Sequence, residues 1–160
     1  MIKKYLSSIL LLVLPSLIAA QAEPKYGEAD FNAAAKAFMA DPVKNSKPNC
    51  GIMFAFASES PDVSVLISEK TGIVWINEKS AGKEDLRALL LCGYITGSVE
   101  SQLKSRKKEN DAIAGIKASL KVYAFIRKIN PTFKIASVEK LITAEKNGKL
   151  QELLDAIEEK

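Results

Sequence analysis

The side chains that could carry chemistry in this sequence are few, and one missing residue type limits them further. The chain has 160 residues and contains no histidine. Histidine is the usual general base at neutral pH, the usual partner of a nucleophilic serine or cysteine, and a common metal ligand. We therefore expect no catalytic residue, no metal site and no cofactor, and the protein is predicted not to be an enzyme.

Carboxylates remain as candidates for acid or base chemistry, but their positions favour ordinary surface roles. Glu84 and Asp85 fall at an expected helix start, and Glu152 and Asp155 fall on a polar helix face. Exposed carboxylates of this kind are normally solvated. Neither of the phosphate-binding patterns GxGxxG and GxxxxGK[ST] occurs in the sequence, so a nucleotide site is not expected either.

The N-terminus has the three parts of a cleavable export signal: a positive start, an apolar run, and small residues before a cleavage site. The small residues are Ala20 and Ala22. Pro15 and this cleavage site argue against a membrane anchor. We predict that residues 1–22 are a signal peptide, that the mature protein begins at Glu23, and that it is periplasmic or secreted.

The only two cysteines, Cys50 and Cys92, both lie in the part predicted to be exported. Two thiols that pass through an oxidising compartment normally pair. Their spacing is far from the CxxC of redox-active pairs. We therefore predict a structural disulfide, which stabilises the fold by about 4 kcal/mol in the chain-entropy model.

Charge and length limit the class of partner. Because the leader carries two lysines and no acidic residue, the net charge falls from +4 for the whole chain to +2 for residues 23–160. That value is too mild to favour nucleic acid or an anionic membrane. No later apolar run is long enough to cross a bilayer. We expect one soluble domain over residues 23–160, with no membrane contact after cleavage and with its oligomeric state left open.

Helical periodicity dominates residues 23–160 and predicts a mainly α, disulfide-stapled domain of about five helices. The first helix carries an apolar stripe and stops before Pro42, and a later helix stops before Pro131. Asn147 and Gly148 form a further stop signal. The expected helix starts are near Asp30, Glu84, Asn110 or Asp111, Ser137 and Leu150.

The stretch before the Glu84 helix is harder to interpret. Residues 43–49 contain Pro48 and several polar side chains, which indicates a loop that delivers Cys50. In residues 51–77, two short runs rich in β-branched and aromatic residues flank a turn that contains Gly72. This pattern favours a small β-hairpin insertion, although short buried helices give a similar composition.

Two glycines within the Glu84 helix predict a close helix contact. Gly93 and Gly97 lie one turn apart on one face. Each costs about 1 kcal/mol relative to alanine inside a helix. We expect them to let a neighbouring element approach the backbone.

A basic run follows the same helix. Lys104, Arg106, Lys107 and Lys108 lie within five consecutive residues. A solvated helix end is the common explanation for such a run, and a site that steers an acidic partner is the functional one.

The run from Cys92 to Gly97 resembles a short motif of the Rap/Tai-type periplasmic immunity proteins. These small, helical, disulfide-stapled proteins protect bacteria against toxins injected by type VI secretion systems. The similarity covers about residues 88–155: Cys92, Gly93, Tyr94 and Gly97 match a helix motif, and Pro131 matches the end of the next helix. The chain lacks the second cysteine pair often seen there, and residues 51–77 have no counterpart. The resemblance implies a toxin-binding inhibitor.

These observations rank three classes of function. An exported module that binds another protein comes first, with toxin neutralisation as its specific form. An envelope stress chaperone comes second; without histidine, its pH switch would have to use carboxylates well below neutrality. A small-ligand-binding protein or an enzyme of unrecognised type comes third.

Overall fold

The computed structural model describes residues 24–76, 78 and 84–159, and within them it is mainly α-helical, as predicted. The described part contains no β-strand, so the predicted hairpin is wrong. The predicted signal peptide and Glu23, the predicted first residue of the mature protein, lie outside the described residues. The helices are α1 (Glu28–Ala40), α2 (Ser46–Glu59), α3 (Glu84–Ser105), α4 (Ala112–Ile129), α5 (Ala136–Lys146) and α6 (Leu150–Glu158), with one 3₁₀ turn at Glu69–Thr71.

Helix α2 is the element that the sequence prediction missed. It begins at Ser46, so the expected loop over residues 43–49 is wrong in its second half. Pro48 is compatible with the helix because it lies in the first turn, where the backbone N–H groups have no acceptor within the helix. Met53 and Phe56, one turn apart, are buried, and this spacing gives α2 its core-facing side.

The second run of the expected hairpin forms turns. Around Ile73 and Trp75, the chain forms successive turns: the Ile76 N–H donates to the Ile73 carbonyl at 3.2 Å, and the Glu78 N–H donates to the Trp75 carbonyl at 3.3 Å. Both Ile73 and Trp75 are buried. The apolar residues of this run therefore fill the core from turns instead of from a strand.

Helix α3 is the centre of the domain. Every residue from Cys92 to Val99 is buried, because α2 packs on one side and α4 on another. This segment of α3 has no solvent-exposed side, so its polar side chains must bond inside the protein. Thr96 donates to the carbonyl of Cys92 at 2.8 Å, and Ser119 of α4 donates to the carbonyl of Leu90 at 2.7 Å.

Helices α3 and α4 approach closely at glycine positions. A methyl group added at Gly93 would lie 3.0 Å from the Cα of Ser119, and one added at Gly97 would lie 2.7 Å from the Cβ of Ala118. A third glycine contributes from the other helix, because a methyl group at Gly115 would lie 2.7 Å from the ring of Tyr94. Both predicted glycines therefore lie at the helix contact, and Gly115 completes it.

The predicted disulfide is confirmed. Cys50 of α2 and Cys92 of α3 are bonded, with their Cα atoms 5.7 Å apart. The closed loop spans a sequence separation of 42 and contains the irregular residues 60–76. The bond thus joins the two helices that border this irregular stretch.

Side chains from distant positions fix the start of α5. The Glu78 carboxylate accepts a hydrogen bond from the Ala136 N–H at 2.9 Å, one from the Ser137 N–H at 3.1 Å, and one from the Ser137 hydroxyl. Partial burial alone would raise the pKa of the Glu78 carboxyl, but these hydrogen bonds outweigh it, and the pKa lies below its ordinary value. Glu78 therefore acts as the N-terminal cap of a helix that lacks a side-chain cap of its own,.

Candidate binding surface around the α3–α4 turn

The predicted basic run lies at the turn between α3 and α4. Lys104, Arg106, Lys107 and Lys108 are all exposed. Helix α3 ends at Ser105, and Arg106 then takes a left-handed backbone conformation with φ of 56°. This conformation often ends a helix, although glycine usually provides it. The run is therefore divided between a helix end and a turn.

Arg106 differs from its three neighbours because it is paired within the protein. Its guanidinium donates to the Glu28 carboxylate at 2.9 Å, and this hydrogen bond raises the pKa of Arg106 further. Lys104, Lys107 and Lys108 form no ion pair with a residue that the structure describes. Three of the four predicted residues thus present charge that is available to a partner, whereas Arg106 links the turn to α1.

Two exposed apolar side chains accompany these lysines. Leu66 is 58% exposed and Ile67 is 43% exposed. Leu66 and Lys107 line the same cleft of about 910 Å³, which α6 borders on its far side. Ile67 and Lys108 line a second groove of about 410 Å³, next to α2. We call Leu66, Ile67, Lys104, Lys107 and Lys108 the turn surface.

Gln102 of α3 fixes the chain below the turn surface. Its side chain is almost fully buried. The amide oxygen accepts from the Ser64 N–H at 2.8 Å, and the amide nitrogen donates to the Ser64 carbonyl at 2.9 Å. A neighbouring strand would make the same pair of hydrogen bonds to Ser64, so the Gln102 side chain takes the place of a partner strand.

Asn110 fixes the same chain two residues later. Its side-chain oxygen accepts from the Leu66 N–H at 3.0 Å and from the Ser98 hydroxyl at 3.2 Å. Its side-chain nitrogen donates to the Tyr94 hydroxyl at 3.1 Å. Burial is the main cause that raises the pKa of Tyr94, so this phenol remains protonated at neutral pH.

Asp111, one of the two residues at which the sequence predicted the start of this helix, completes the turn as the cap of α4. Its carboxylate accepts from the Ala114 N–H at 2.9 Å and from the Ser101 hydroxyl at 2.5 Å. The polar side chains beneath the turn surface therefore bond to the protein itself, which makes this region a rigid support.

The turn surface can contact a partner through its exposed apolar side chains and attract it through its lysines. Among the described residues, no group of three or more acidic or cysteine side chains is placed to hold a metal ion. In the same part of the chain, no helix is both long and apolar enough to cross a bilayer. The surface combines exposed apolar area with positive charge, a combination that suits binding of another macromolecule.

Comparisons with known proteins add no relative, since no protein-family model, no curated protein and no solved structure matches the chain. The resemblance to immunity proteins therefore remains a prediction. Its matched residues on α3, namely Cys92, Gly93, Tyr94 and Gly97, are buried. They shape the core of the domain instead of a surface.

Sequence reasoning found the lysines of the turn surface but missed its apolar members. Leu66 and Ile67 were expected within a hairpin, where alternate side chains enter the core. The sequence also offered no signal for Gln102, since a glutamine late in a helix is usually exposed. A usable signal was present in Ser98 and Gln102, two polar residues one turn apart that continue an otherwise apolar face of α3.

Proposed function

We propose that this protein is an exported, non-catalytic module that binds another protein through the turn surface, with neutralisation of a secreted toxin as its specific form. The observation that carries the proposal is the location of Leu66 and Ile67, exposed beside lysines that have no partner among the described residues. Apolar side chains at the centre of a contact supply affinity, and charge at its rim speeds association.

The support of this surface favours tight binding. Residues 64–66 are held by Gln102 and Asn110 from the buried side, and the disulfide joins the helices on either side of the loop. A surface that is already ordered loses less conformational entropy when it binds. Toxin neutralisation follows from the resemblance and from the predicted export, which would bring the protein to the compartment where injected toxins act.

The direct test uses a matched pair of substitutions. Leu66→Ser changes the turn surface, and Ile129→Ser changes an equally exposed apolar residue, 58% exposed, at the opposite end of α4. The full chain is used to capture proteins from envelope extract and from cells that express toxins encoded beside its gene. We expect Ile129→Ser to keep the captured partner and Leu66→Ser to weaken its binding at least about fivefold.

Charge gives a second, independent readout on the captured partner. Replacing Lys107 and Lys108 with glutamate should slow association and reduce its dependence on salt, while dissociation changes little. Equal loss of binding in Leu66→Ser and Ile129→Ser, or no captured protein together with turnover in a broad hydrolase screen, would contradict the proposal.

A further inference from the structure

The chain from Val63 to Ile67 has the hydrogen-bonding pattern of a strand whose second edge is open. Successive residues of an extended chain direct their backbone groups to alternate edges. Ser64 and Leu66 direct theirs toward Gln102 and Asn110. The remaining carbonyl of this inner edge, that of Leu66, accepts from the Thr71 hydroxyl at 3.1 Å.

The outer edge is different. The backbone N–H and carbonyl groups of Val63, Val65 and Ile67 bond to no residue that the structure describes. From Val65 to Ser68 the side chains also alternate, because Leu66 and Ser68 line the larger cleft, whereas Val65 and Ile67 line the groove next to α2; Ser64 lines this groove as well. Because Val63 is buried, the part of the outer edge that a partner could reach is at Val65 and Ile67, beside the groove.

The groove indicates which kind of chain would fit. Its walls combine apolar side chains, namely Phe54 and Ala57 of α2 with Val65 and Ile67, and the hydroxyl side chains of Ser58, Ser60 and Ser64. Among the residues that line it, only Lys108 carries a charge. A chain that adds to the outer edge would place alternate side chains in this groove, against both apolar and hydroxyl side chains, and would gain from one acidic residue near Lys108.

We propose that a partner protein binds here by strand addition: an extended segment with alternating apolar residues and one acidic residue pairs with the outer edge at Val65 and Ile67. Backbone pairing supplies affinity in this mode, and the groove supplies specificity. Open edges of this kind readily accept another strand. The inference rests on the proposed function, since it specifies how the turn surface would hold its partner.

The test uses a defined peptide. The probe is an acetylated, amidated hexapeptide of alternating valine and threonine with one glutamate, added to the full chain. Amide hydrogen exchange should slow at Val65 and Ile67, while exchange at Ser64 and Leu66 stays unchanged because those groups are already bonded. A peptide with N-methyl groups on adjacent residues, which block both of its edges, should bind about tenfold more weakly or worse.

A second test reverses the charge of single lysines, one inside the groove and one outside it. Lys108→Glu should weaken binding of the glutamate peptide about fivefold and favour the same peptide with lysine instead. Lys117→Glu is the control, because Lys117 is an exposed lysine of α4 that lies outside the turn surface and does not line the groove. Both variants change exposed residues, so both should fold as the parent protein does.

Several outcomes would overturn strand addition. One is equal binding of the N-methylated peptide. Another is slow exchange at Val65 and Ile67 without peptide: if it depends on protein concentration, a second copy covers the edge, and if it does not, the chain covers its own edge. If peptide binding fails while Leu66→Ser still weakens capture of a protein partner, then the turn surface binds that partner without strand addition and the proposed function survives.

Discussion

The α3–α4 pair and residues 60–76 hold their backbones in opposite ways. In the helix pair, backbone hydrogen bonds are made within each helix, and glycines let the two backbones approach until methyl groups would collide. In residues 60–76, buried or half-buried side chains such as Gln102 and Asn110 make the bonds to the backbone. The helix pair therefore has no free backbone edge, whereas the irregular stretch keeps one.

This difference separates stability from binding. A backbone bonded on both sides packs tightly and gives a rigid core. A backbone bonded on one side only is held in place and still has donors and acceptors for a partner. The proposed binding role of the exposed Leu66 and Ile67, on the second kind of chain, agrees with the general tendency of loops on rigid supports to carry function.

The largest expected effect comes from breaking the link between the two regions. Replacing both Cys50 and Cys92 with alanine should lower the free energy of unfolding by about 4 kcal/mol, because the disulfide closes a long loop in the unfolded chain. Denaturant unfolding measures this loss, and reduction of the parent protein with dithiothreitol is the control. Since residues 60–76 lie inside the closed loop, amide exchange at Leu66 should accelerate more than exchange in α3. Equal acceleration throughout would mean that the two regions unfold as one unit.

The second expected effect concerns the close approach of the helices. Gly97→Ala places a methyl group against Ala118 and the backbone of Ala114, so we expect a loss of about 2 kcal/mol despite the better helix propensity of alanine. Gly51→Ala is the matched control, because Gly51 lies inside α2 with no atom near its absent methyl group. That control should gain about 0.5–1 kcal/mol. Thermal unfolding of both variants decides the matter, and a stabilised Gly97→Ala would show that the helices can separate at little cost.

The third expected effect concerns the irregular stretch. Gln102→Ala removes both hydrogen bonds to Ser64, and we expect a loss of about 1–2 kcal/mol because partly buried backbone groups lose their partner. Amide exchange at Ser64 should accelerate strongly, while exchange within α4 changes little. Gln151→Ala is the control, since Gln151 is exposed and bonds only to Asp155 one turn away. Unchanged exchange at Ser64 would mean that the extended chain is held by packing alone.

The two regions also explain how much of the fold could be predicted. Helices α3 and α4 carry long apolar repeats, and α4 also has Asp111 as its cap. The local sequence pattern was therefore sufficient to locate both helices. The glycines indicated their contact for the same reason. The Cys50–Cys92 pairing could be predicted because the sequence has only these two cysteines and both are expected to reach an oxidising compartment.

The irregular stretch could not be predicted because its bonds come from far along the chain. Ser64 bonds to Gln102, and Leu66 bonds to Asn110, 44 residues later in the sequence. The β-branched residues of this stretch predicted the strands of a hairpin, and this prediction was wrong because a local pattern does not reveal whether the partner of a chain is a strand or a side chain. The apolar part of the turn surface was missed for the same reason.

The smallest expected effect tests a single long-range cap by its pH dependence. The pKa of the Glu78 carboxyl is lowered in the folded protein, so Glu78 contributes stability above its unfolded pKa, near 4.5, and this contribution is lost as the pH falls through the lower folded value. Glu78→Gln should therefore cost about 1 kcal/mol at pH 7, in the range of helix caps, and close to nothing in strong acid.

Denaturant unfolding of the parent protein and of Glu78→Gln across this pH range measures the difference. Glu109→Gln is the control, because Glu109 is an exposed carboxylate outside any helix, and its effect should be small at every pH. A Glu78→Gln cost that persists unchanged into strong acid would show that the side chain acts through shape and not through charge. Glu78 lies just after the irregular stretch and binds the backbone at the start of α5. The charge-dependent result would therefore give a second site, besides Ser64 and Leu66, at which a side chain and not a neighbouring strand binds the backbone of a distant segment.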